Sequence, residues 1–417
     1  MEARVDLAVV GAGIVGLAVA REYARRYPRA SIAVLEKEDR PAAHQTGHTS
    51  GVLHSGIAYR PGSRKARFTL AGRATLIAYA GERGIPLVPV GKRIVATRPG
   101  QLEGLAELER RGRANGVPGV RRLSPEELRA MEPEVRGIAA LDVPSAAITD
   151  FAAVARALAS DLERAGQAIL TRAPVERLAR TQGRWILSDR IGSFGVAADR
   201  LVGCAGLGSD RLAALGGAPA TVRIVPFRGE FFRVRAGRRG LVRGLVYPVP
   251  DPTLPFADPH FTPTVAGELL VGPSAVLAGA REGYGRGTIR PADLGGSLAD
   301  PAIWRLLRRL GSRALREAWR SLDRHRYAAD LAAMVPSLRP DDLERPFAGV
   351  RAQAVDPAGR LVDDFAWAEA PQALHLVNAP SPAATAAFAL AGAVADRLPL
   401  PRTLAGPEGE CSSRDRD

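Results

Sequence analysis

The stretch VDLAVVGAGIVG, from Val5 to Gly16, lies near the start of the chain and determines which fold class the sequence predicts. Its apolar run, Val5–Val10, is typical of a strand that is covered on both faces. A glycine-rich turn follows, and the next residues, from about Ile14 to Arg26, have a helical pattern. Residues 31–36 then predict a second strand. A strand, a helix and a strand in this order form a β-α-β unit, so the chain is expected to begin with a parallel-sheet domain.

The turn has the spacing G-x-G-x-x-G, with glycines at Gly11, Gly13 and Gly16. In a turn between a strand and a helix, these glycines permit the tight turn, the approach of a pyrophosphate and close helix–strand packing. The N–H groups of the first helical residues, Ile14 and Val15, would face the phosphates. Glu36, twenty residues further on, is placed to accept hydrogen bonds from a ribose diol and would repel a 2′-phosphate. The motif therefore predicts FAD or NAD, and disfavours NADP.

The remaining sequence indicates a second region of different architecture. Residues 221–276 alternate as strands do and contain many prolines, and residues 297–330 have a helical pattern. We expect a Rossmann-like α/β domain and an α+β domain built on a mixed or antiparallel sheet. The expected boundaries are 1–84, 146–215 and 346–400 for the nucleotide-binding domain, 85–145 and 216–345 for the substrate domain, and 401–417 for a disordered tail.

Composition narrows the classes of protein that fit. The formal net charge is +14, but the basic residues are dispersed and only 5% of residues are aromatic, which disfavours nucleic-acid binding. The two cysteines cannot form a disulfide framework or a thiolate metal centre, so we expect no metal and a cytoplasmic location. We expect no cleaved signal peptide, and no run of about 18 apolar residues, as a transmembrane helix needs, occurs in the sequence. Peripheral contact with an anionic membrane, at its inner face, stays open.

A long glycine-containing segment favours FAD over NAD. Residues 45–59 form a loop of the kind that has a function when it occurs in a compact domain, and a flavin needs a second stretch of chain to cover it. No tyrosine is followed four residues later by a lysine, as in short-chain nicotinamide dehydrogenases.

Four motifs carry a family resemblance. The sequence resembles the FAD-dependent D-amino-acid-oxidase-like superfamily and, within it, the L-2-hydroxyglutarate oxidase/dehydrogenase family. The motifs are GAGIVG (11–16) with LEK (35–37), HQTGHTSGVLHSGI (44–57) with Tyr59, PFRGE (226–230) with YPVPDP (247–252) and HFT (260–262), and GVRAQ (349–353) with NAPSPAAT (378–385). Departures are Thr49 and Gly203, where the family usually has asparagine, and residues 257–259.

The resemblance implies a flavoenzyme that oxidises L-2-hydroxyglutarate to 2-oxoglutarate by hydride transfer to non-covalently bound FAD, with oxygen or a quinone as the final acceptor. The departure at residues 257–259 leaves other substrates of the same fold open: an amino acid, a secondary amine or glycerol 3-phosphate.

A base must take the hydroxyl proton of such a substrate, and histidine suits this role because it titrates near neutrality. His54, in a glycine-flanked loop, is our first candidate, and His260 is the second. A dicarboxylate also needs cations, and arginine binds carboxylates in a bidentate manner. Arg228 and Arg351 lie in the motifs and are the expected pair, with Tyr59 and Thr262 as further substrate contacts.

The residues expected to contact FAD form a larger set. They lie in the opening turn and its acidic partner, in the loop after residue 44, and at the start of the C-terminal helix, whose N-terminus would stabilise negative charge on the flavin. Cys204 is expected to be a buried small residue and not a covalent link. The full set is Gly11, Gly13, Ile14, Val15, Gly16, Glu36, Lys37, Gln45, Thr46, Ser50, Gly51, Val175, Cys204, Gly206, Asn378, Pro380, Ser381, Ala383 and Thr385.

Overall fold

The computed structural model describes residues 3–219, 221–251, 258–285, 287–311 and 323–405. The helices among them are α1 Ile14–Arg26, α2 Arg64–Glu82, α3 Leu102–Ala114, α4 Pro125–Met131, α5 Phe151–Arg164, α6 Ser209–Leu215, α7 Pro291–Leu298, α8 Pro301–Leu310, α9 Arg324–Ala332 and α10 Ala383–Arg397. The strands are β1 Ala3–Val10, β2 Ile32–Leu35, β3 Val52–Leu53, β4 Leu87–Pro89, β5 Lys92–Ala96, β6 Arg121–Leu123, β7 Ala139–Val143, β8 Ala147–Thr149, β9 Ala168–Leu170, β10 Arg177–Thr181, β11 Arg184–Ser188, β12 Gly195–Gly203, β13 Arg223–Val234, β14 Leu245–Pro248, β15 His260–Pro263, β16 Leu269–Gly272, β17 Val276–Leu277, β18 Leu343–Val355, β19 Ala366–Ala370 and β20 Ala373–Asn378.

The chain divides into two compact units, each made of separate stretches of sequence. Unit 1 comprises Met1–Gly47, Phe151–Ile224 and Asp363–Asp417, and unit 2 comprises His48–Asp150 and Val225–Val362. Residues 48–84, 146–150 and 346–362, which we expected in the nucleotide-binding domain, belong to unit 2, and residues 216–224, which we expected in the substrate domain, belong to unit 1. Strand β3, in the first of these ranges, pairs with β8, in the second, within unit 2.

Unit 1 contains an eight-stranded sheet in the order β10-β11-β12-β1-β2-β9, with β20 also beside β12 and β19 beside β20. The strands β12, β1, β2 and β9 run parallel, as the opening β-α-β pattern predicts. The helix after the glycine turn packs against α5 and α10. Its buried residues include Leu17, Val19 and Tyr23, so an apolar face holds it in place.

Unit 2 contains a nine-stranded sheet in the order β17-β13-β16-β15-β14-β5-β7-β6, with β18 beside β13. It is largely antiparallel, although β14 and β5 run parallel. Side chains alternate between its two faces. Ile94 packs in the cluster that includes α3 residues, and Val95 packs in the cluster on the other face. The expected combination of a Rossmann-like α/β domain and an α+β domain on a mixed or antiparallel sheet is confirmed.

Most local predictions of individual elements agree with the structure. Val175, one of the residues expected to contact FAD, lies in the loop between β9 and β10, directly after Pro174, which lacks the N–H that a strand needs. Of the expected disordered tail, Arg402–Leu404 forms a short helical turn, and residues 406–417 lie outside the described residues. Residues 312–322 of the expected helical stretch, and Ala257 of the departure at 257–259, also lie outside the described residues. Among the described helices, none combines the length and apolarity that a bilayer-spanning segment needs.

Candidate active site and nucleotide cradle

The glycine turn of unit 1 has the geometry that the sequence motif predicts. Gly11 has a φ of +108°, and a Cβ on it would lie 2.5 Å from the carbonyl oxygen of Cys204. A Cβ on Gly16 would overlap the carbonyl oxygen of Gly11. A Cβ on Gly13 would meet only the Thr46 hydroxyl, at 3.3 Å. Two of the glycines therefore serve the packing of the turn, and the third leaves the backbone accessible to a ligand.

Glu36 stands at the end of β2 with its carboxylate already oriented. Its Oε2 accepts the N–H of Ala12 at 2.9 Å, and its Oε1 accepts the N–H of Glu38 at 3.0 Å. These bonds hold the carboxylate beside the glycine turn, where lone pairs not used by the two N–H groups suit a ribose diol. Thr46 accepts the N–H of Ile14 at 3.1 Å, which ties the loop after residue 44 to the start of α1.

The C-terminal part of unit 1 adds a second helix N-terminus. Asn378 ends β20 and donates to the Asp364 carbonyl at 2.8 Å, and α10 begins at Ala383 without a side-chain cap. Gly206, at a φ of +52°, lies against the Gln45 side chain. Burial raises the pKa of the Cys204 thiol to about 12, so this thiol stays protonated at neutral pH. An accessible glycine turn, an oriented carboxylate and uncapped helix N–H groups fit a dinucleotide.

Most residues expected to contact FAD lie in unit 1, and two, Ser50 and Gly51, lie in unit 2. Gly51 has a φ of +76°, and a Cβ on it would lie 2.6 Å from the Thr149 carbonyl oxygen, so this position requires glycine. Lys37 forms an ion pair with Glu38 at 3.2 Å. Val175 packs at the edge of the apolar core of unit 1.

In unit 2, the two candidate bases lie in one cluster of buried groups. His54 follows β3, in a loop that Asn115 holds by donating to the carbonyls of Gly56 at 3.0 Å and Tyr59 at 2.9 Å. The ring of His54 lies 6.3 Å from that of Tyr59. His260 begins β15, and its ring packs against Tyr247 of the neighbouring strand β14.

His260, Tyr247 and Lys92 form a stack. The rings of His260 and Tyr247 are 3.7 Å apart at an angle of 18°, and the Lys92 ammonium lies 3.7 Å from the centre of the Tyr247 ring. Two groups at this distance from one ring centre cannot share a face, so they lie on opposite faces of Tyr247. The Nδ1–H of His260 donates to the Asp258 carbonyl at 2.8 Å, which leaves its Nε2 able to accept a proton.

The cluster is electrostatically positive. Burial, together with the charges of Lys92, Arg351 and Lys65, lowers the pKa of His54 to about 3. Burial also lowers the pKa of His260 to about 3, with Lys92 and Arg351 acting in the same direction. Burial lowers the pKa of Lys92 to about 8 and lowers that of Arg351. Both histidines are therefore neutral at pH 7, beside cations.

The structure thus brings together His54, His260 and Arg351, but Arg228 is held differently. Its guanidinium pairs with the buried Glu230 at 3.0 Å and donates to the Gly285 carbonyl at 3.0 Å. Arg228 is absent from the charges that act on either histidine. Thr262 follows His260 by two residues, so its side chain lies on the same face of β15, and it is fully buried. It lies near the Tyr247 hydroxyl, because Thr262 lowers the pKa of Tyr247.

Sequence reasoning missed Lys92, Lys65 and Tyr247 as members of this cluster. One signal was available: only three of the 58 basic residues are lysines, and Lys92 alternates with the apolar Ile94 and Ala96 along a strand. That alternation places Lys92 on a buried face. The structure shows that both Lys65 and Lys92 are buried, at 8% and 7% exposure.

Comparisons with known proteins agree with the geometry. A family profile described as FAD dependent oxidoreductase matches residues 6–397. The chain is 38% identical to the L-2-hydroxyglutarate dehydrogenase of Indibacter alkaliphilus over 389 residues, which cover 93% of this chain and 97% of the relative. It is also 38% identical to the L-2-hydroxyglutarate dehydrogenase of Escherichia coli K12, over 94% of this chain and 93% of the relative.

Among solved structures, the fold is similar to that of the L-α-glycerophosphate oxidase of Mycoplasma pneumoniae with FAD bound, with a TM-score of 0.76 and 24% identity over 95% of this chain and 94% of that one. The family match and the homologues, which together span nearly the whole chain, show that this protein belongs to the FAD dependent oxidoreductase family and is a homologue of the L-2-hydroxyglutarate dehydrogenases.

Proposed function

We propose that this FAD-dependent oxidoreductase converts L-2-hydroxyglutarate to 2-oxoglutarate with non-covalently bound FAD. The names of its 38%-identical homologues support this substrate, and the positive cluster of unit 2 supports an anionic one. FAD supplies the hydride acceptor when it is bound.

The observation that carries the proposal is a pair of cations, the buried Lys92 and the half-buried Arg351, beside two neutral histidines. Lys92 and Arg351 both act on His54 and His260, and among the described residues neither cation forms an ion pair with a carboxylate. A buried charge without a partner is unfavourable, so a site of this kind favours a ligand that brings negative charge. A 2-hydroxy dicarboxylate at neutral pH brings two.

The charges of Lys92 and Arg351 make the pKa of the candidate base His54 depend on whether substrate is bound. In the free protein, Lys92 and Arg351 help to hold the pKa of His54 low. Carboxylates bound to these cations would cancel much of their effect, so the pKa of His54 would rise towards the range of an effective base. His54 then accepts the proton of the substrate hydroxyl. His260 is the second candidate, since its Nε2 is also an acceptor.

The three alternative substrates differ in how well they fit this cluster. An amino acid or a secondary amine carries an ammonium group, which the cations of the cluster would repel, and an amino acid with an uncharged side chain brings only one carboxylate. Glycerol 3-phosphate carries a dianionic group that the same cations could bind, so it is the stronger alternative. A phosphoryl group at one end requires one anion site, whereas 2-hydroxyglutarate requires two.

The direct test is anaerobic mixing of the purified holoenzyme with L-2-hydroxyglutarate while the absorbance of the bound flavin is followed. We expect bleaching with the L-isomer and none with the D-isomer. Bleaching by glycerol 3-phosphate or a secondary amine, without bleaching by L-2-hydroxyglutarate, would refute the proposed substrate. Repeating the reaction in air, with oxygen consumption as the readout, distinguishes oxygen from a quinone as the final acceptor.

Variants of the two histidines identify the base. His54→Asn is expected to slow flavin bleaching by roughly 10²- to 10⁴-fold, the range for loss of a general base, while His260→Asn has a smaller effect. The binding of 2-oxoglutarate to each variant, measured by calorimetry, controls for loss of the site. The reverse order of rates, with binding retained, would assign the base to His260.

A further inference from the structure

We infer that Lys92 binds the second carboxylate of the substrate and so makes the site selective for dicarboxylates. This inference rests on the proposed function for the identity of the acid, but the geometry that carries it is independent of the homologues. It assigns a specificity-determining role to a residue outside the four motifs.

Lys92 is held in a fixed position on one face of the unit 2 sheet. It begins β5, where it lies in register with Leu245 of β14 and Val143 of β7. Its ammonium sits 3.7 Å above the Tyr247 ring, whose other face is covered by His260. The Tyr247 ring thus lies between the charge of Lys92 and a candidate base, and strand β5 fixes the position of this charge, as a specific ligand contact requires.

The acidic groups nearest in sequence and strand register serve the neighbouring residue instead. Arg93 points to the opposite face of the sheet, where its guanidinium lies 3.5 Å from Glu132 and 3.6 Å from Asp142. Lys92 has no such partner: within the described ranges its ammonium makes an aromatic contact but no ion pair. Strand β5 therefore carries one cation, Arg93, that is paired with carboxylates, and one, Lys92, that has no carboxylate partner among the described residues. Only the charge of Lys92 is available to a ligand.

Arg351 and Lys92 suit different parts of one substrate. The planar guanidinium of Arg351 can bind a carboxylate through two parallel hydrogen bonds, and the ammonium of Lys92 acts as a point charge. Both cations lower the pKa of both histidines, so both lie near the candidate bases. Only three of the 58 basic residues are lysines, so composition alone would predict an arginine at a basic position. The buried lysine beside the candidate bases is therefore not a consequence of composition.

The test compares two ligands that cannot be oxidised at a hydroxyl: glutarate, with two carboxylates, and pentanoate, with one. Calorimetric titration of the holoenzyme measures each affinity in the wild type and in Lys92→Met. We expect the variant to lose glutarate affinity by roughly 10- to 100-fold, the range for a hydrogen bond to a charged group, and pentanoate affinity by less than about threefold. Lys92→Arg should retain most of the preference for glutarate. Arg98→Met, which removes an exposed cation from the same region, is the matched control.

Equal losses for both ligands, or no loss for either, would overturn the inference. If Lys92→Met does not fold, Lys92→Gln, which keeps a polar side chain, replaces it in the same comparison. The two proposals fail separately. A wild type that is bleached by L-2-hydroxyglutarate, with a Lys92 variant of unchanged ligand preference, refutes only the role of Lys92. A wild type that is not bleached, but whose glutarate affinity depends on Lys92, refutes only the reaction.

Discussion

His375 occupies the space that a side chain on Gly203 would fill. The two residues lie in register on the parallel strands β20 and β12, and a Cβ built on Gly203 would overlap the His375 ring. A Cβ on Gly216 would also lie 2.9 Å from the Nε2 atom of His375. The ring is 1% exposed, and neither of its nitrogens has a hydrogen-bond partner among the described residues. Gly203 and Gly216 thus leave the space that the His375 ring occupies. Gly203 is one of the positions at which this sequence departs from the family pattern, which usually has asparagine there.

This packing predicts that Gly203→Ala destabilises the protein. Inserting a methyl group against a buried ring typically costs about 1–3 kcal/mol of unfolding free energy. Urea unfolding of the holoenzyme measures the change. Gly208→Ala is the matched control, because its Cβ would meet only Ala205, at 3.9 Å. Removing the ring as well, in Gly203→Ala with His375→Ala, should produce a smaller loss than the sum of the two single variants; additive losses would contradict direct contact.

The buried histidines predict a loss of stability at mildly acidic pH. Burial holds the pKa of His375 at about 4 and those of His54 and His260 at about 3, against an ordinary value of 6.5. Below pH 6.5 the unfolded chain therefore binds protons that the native protein does not, and the unfolding free energy falls as the pH falls. Each histidine contributes up to about 1.4 kcal/mol per pH unit.

Urea unfolding between pH 7.5 and 5 measures this slope. His375→Leu should reduce it by the share of one proton, and His325→Asn, at an exposed position, is the control. A slope that His375→Leu leaves unchanged would mean that His375 is already charged in the native protein.

Gly13 and Gly16 should respond differently to the same substitution. Gly16→Ala places a Cβ on the Gly11 carbonyl, so both the apoprotein and the holoenzyme should be less stable. Gly13→Ala meets only a hydroxyl at 3.3 Å, so the apoprotein should stay within about 1 kcal/mol of wild type while FAD affinity falls by roughly tenfold or more. Urea unfolding and flavin titration of the apoprotein measure the two effects. Gly81→Ala, with open space around it, is the control; wild-type FAD affinity in Gly13→Ala would place the pyrophosphate elsewhere.

Activity on a dicarboxylate should decline above pH 8. The pKa of Lys92 is about 8, and loss of its proton removes the charge that we assign to the second carboxylate. The other charged or titratable groups of this cluster are His54, His260, Arg351, Lys65 and Tyr247; both histidines are neutral in this range, and burial raises the pKa of Tyr247.

We expect kcat/KM for L-2-hydroxyglutarate to fall towards tenfold per pH unit above pH 8, with KM carrying most of the change. Lys92→Arg should move the decline to higher pH, since arginine stays protonated. A decline at the same pH in this variant would assign the titration to another group.

Short-range pattern was sufficient to predict much of the fold. The apolar run before the glycine turn and the 3.6-residue pattern after it predict β1 and α1, and α1 spans the expected Ile14–Arg26. Ser63 and Ser124 cap the helices that follow them by accepting the N–H groups of Ala66 and Glu127, three residues further on. These features depend on residues within one or two turns of one another, so they can be read without tertiary information.

The amino-acid sequence by itself determined the nucleotide-binding turn, the two sheet types and the family, because these depend on glycine spacing, periodicity and long shared motifs. Only the tertiary structure decided which charges are available. It paired Arg228 with Glu230 and, within the part of the chain that the structure describes, gave Lys92 an aromatic neighbour but no ion pair with a carboxylate. The physical reason is that the environment of a cation depends on the strands beside it. Lys92, Tyr247 and Arg351 are far apart in the chain, and strand register and burial, which local pattern does not encode, set their surroundings.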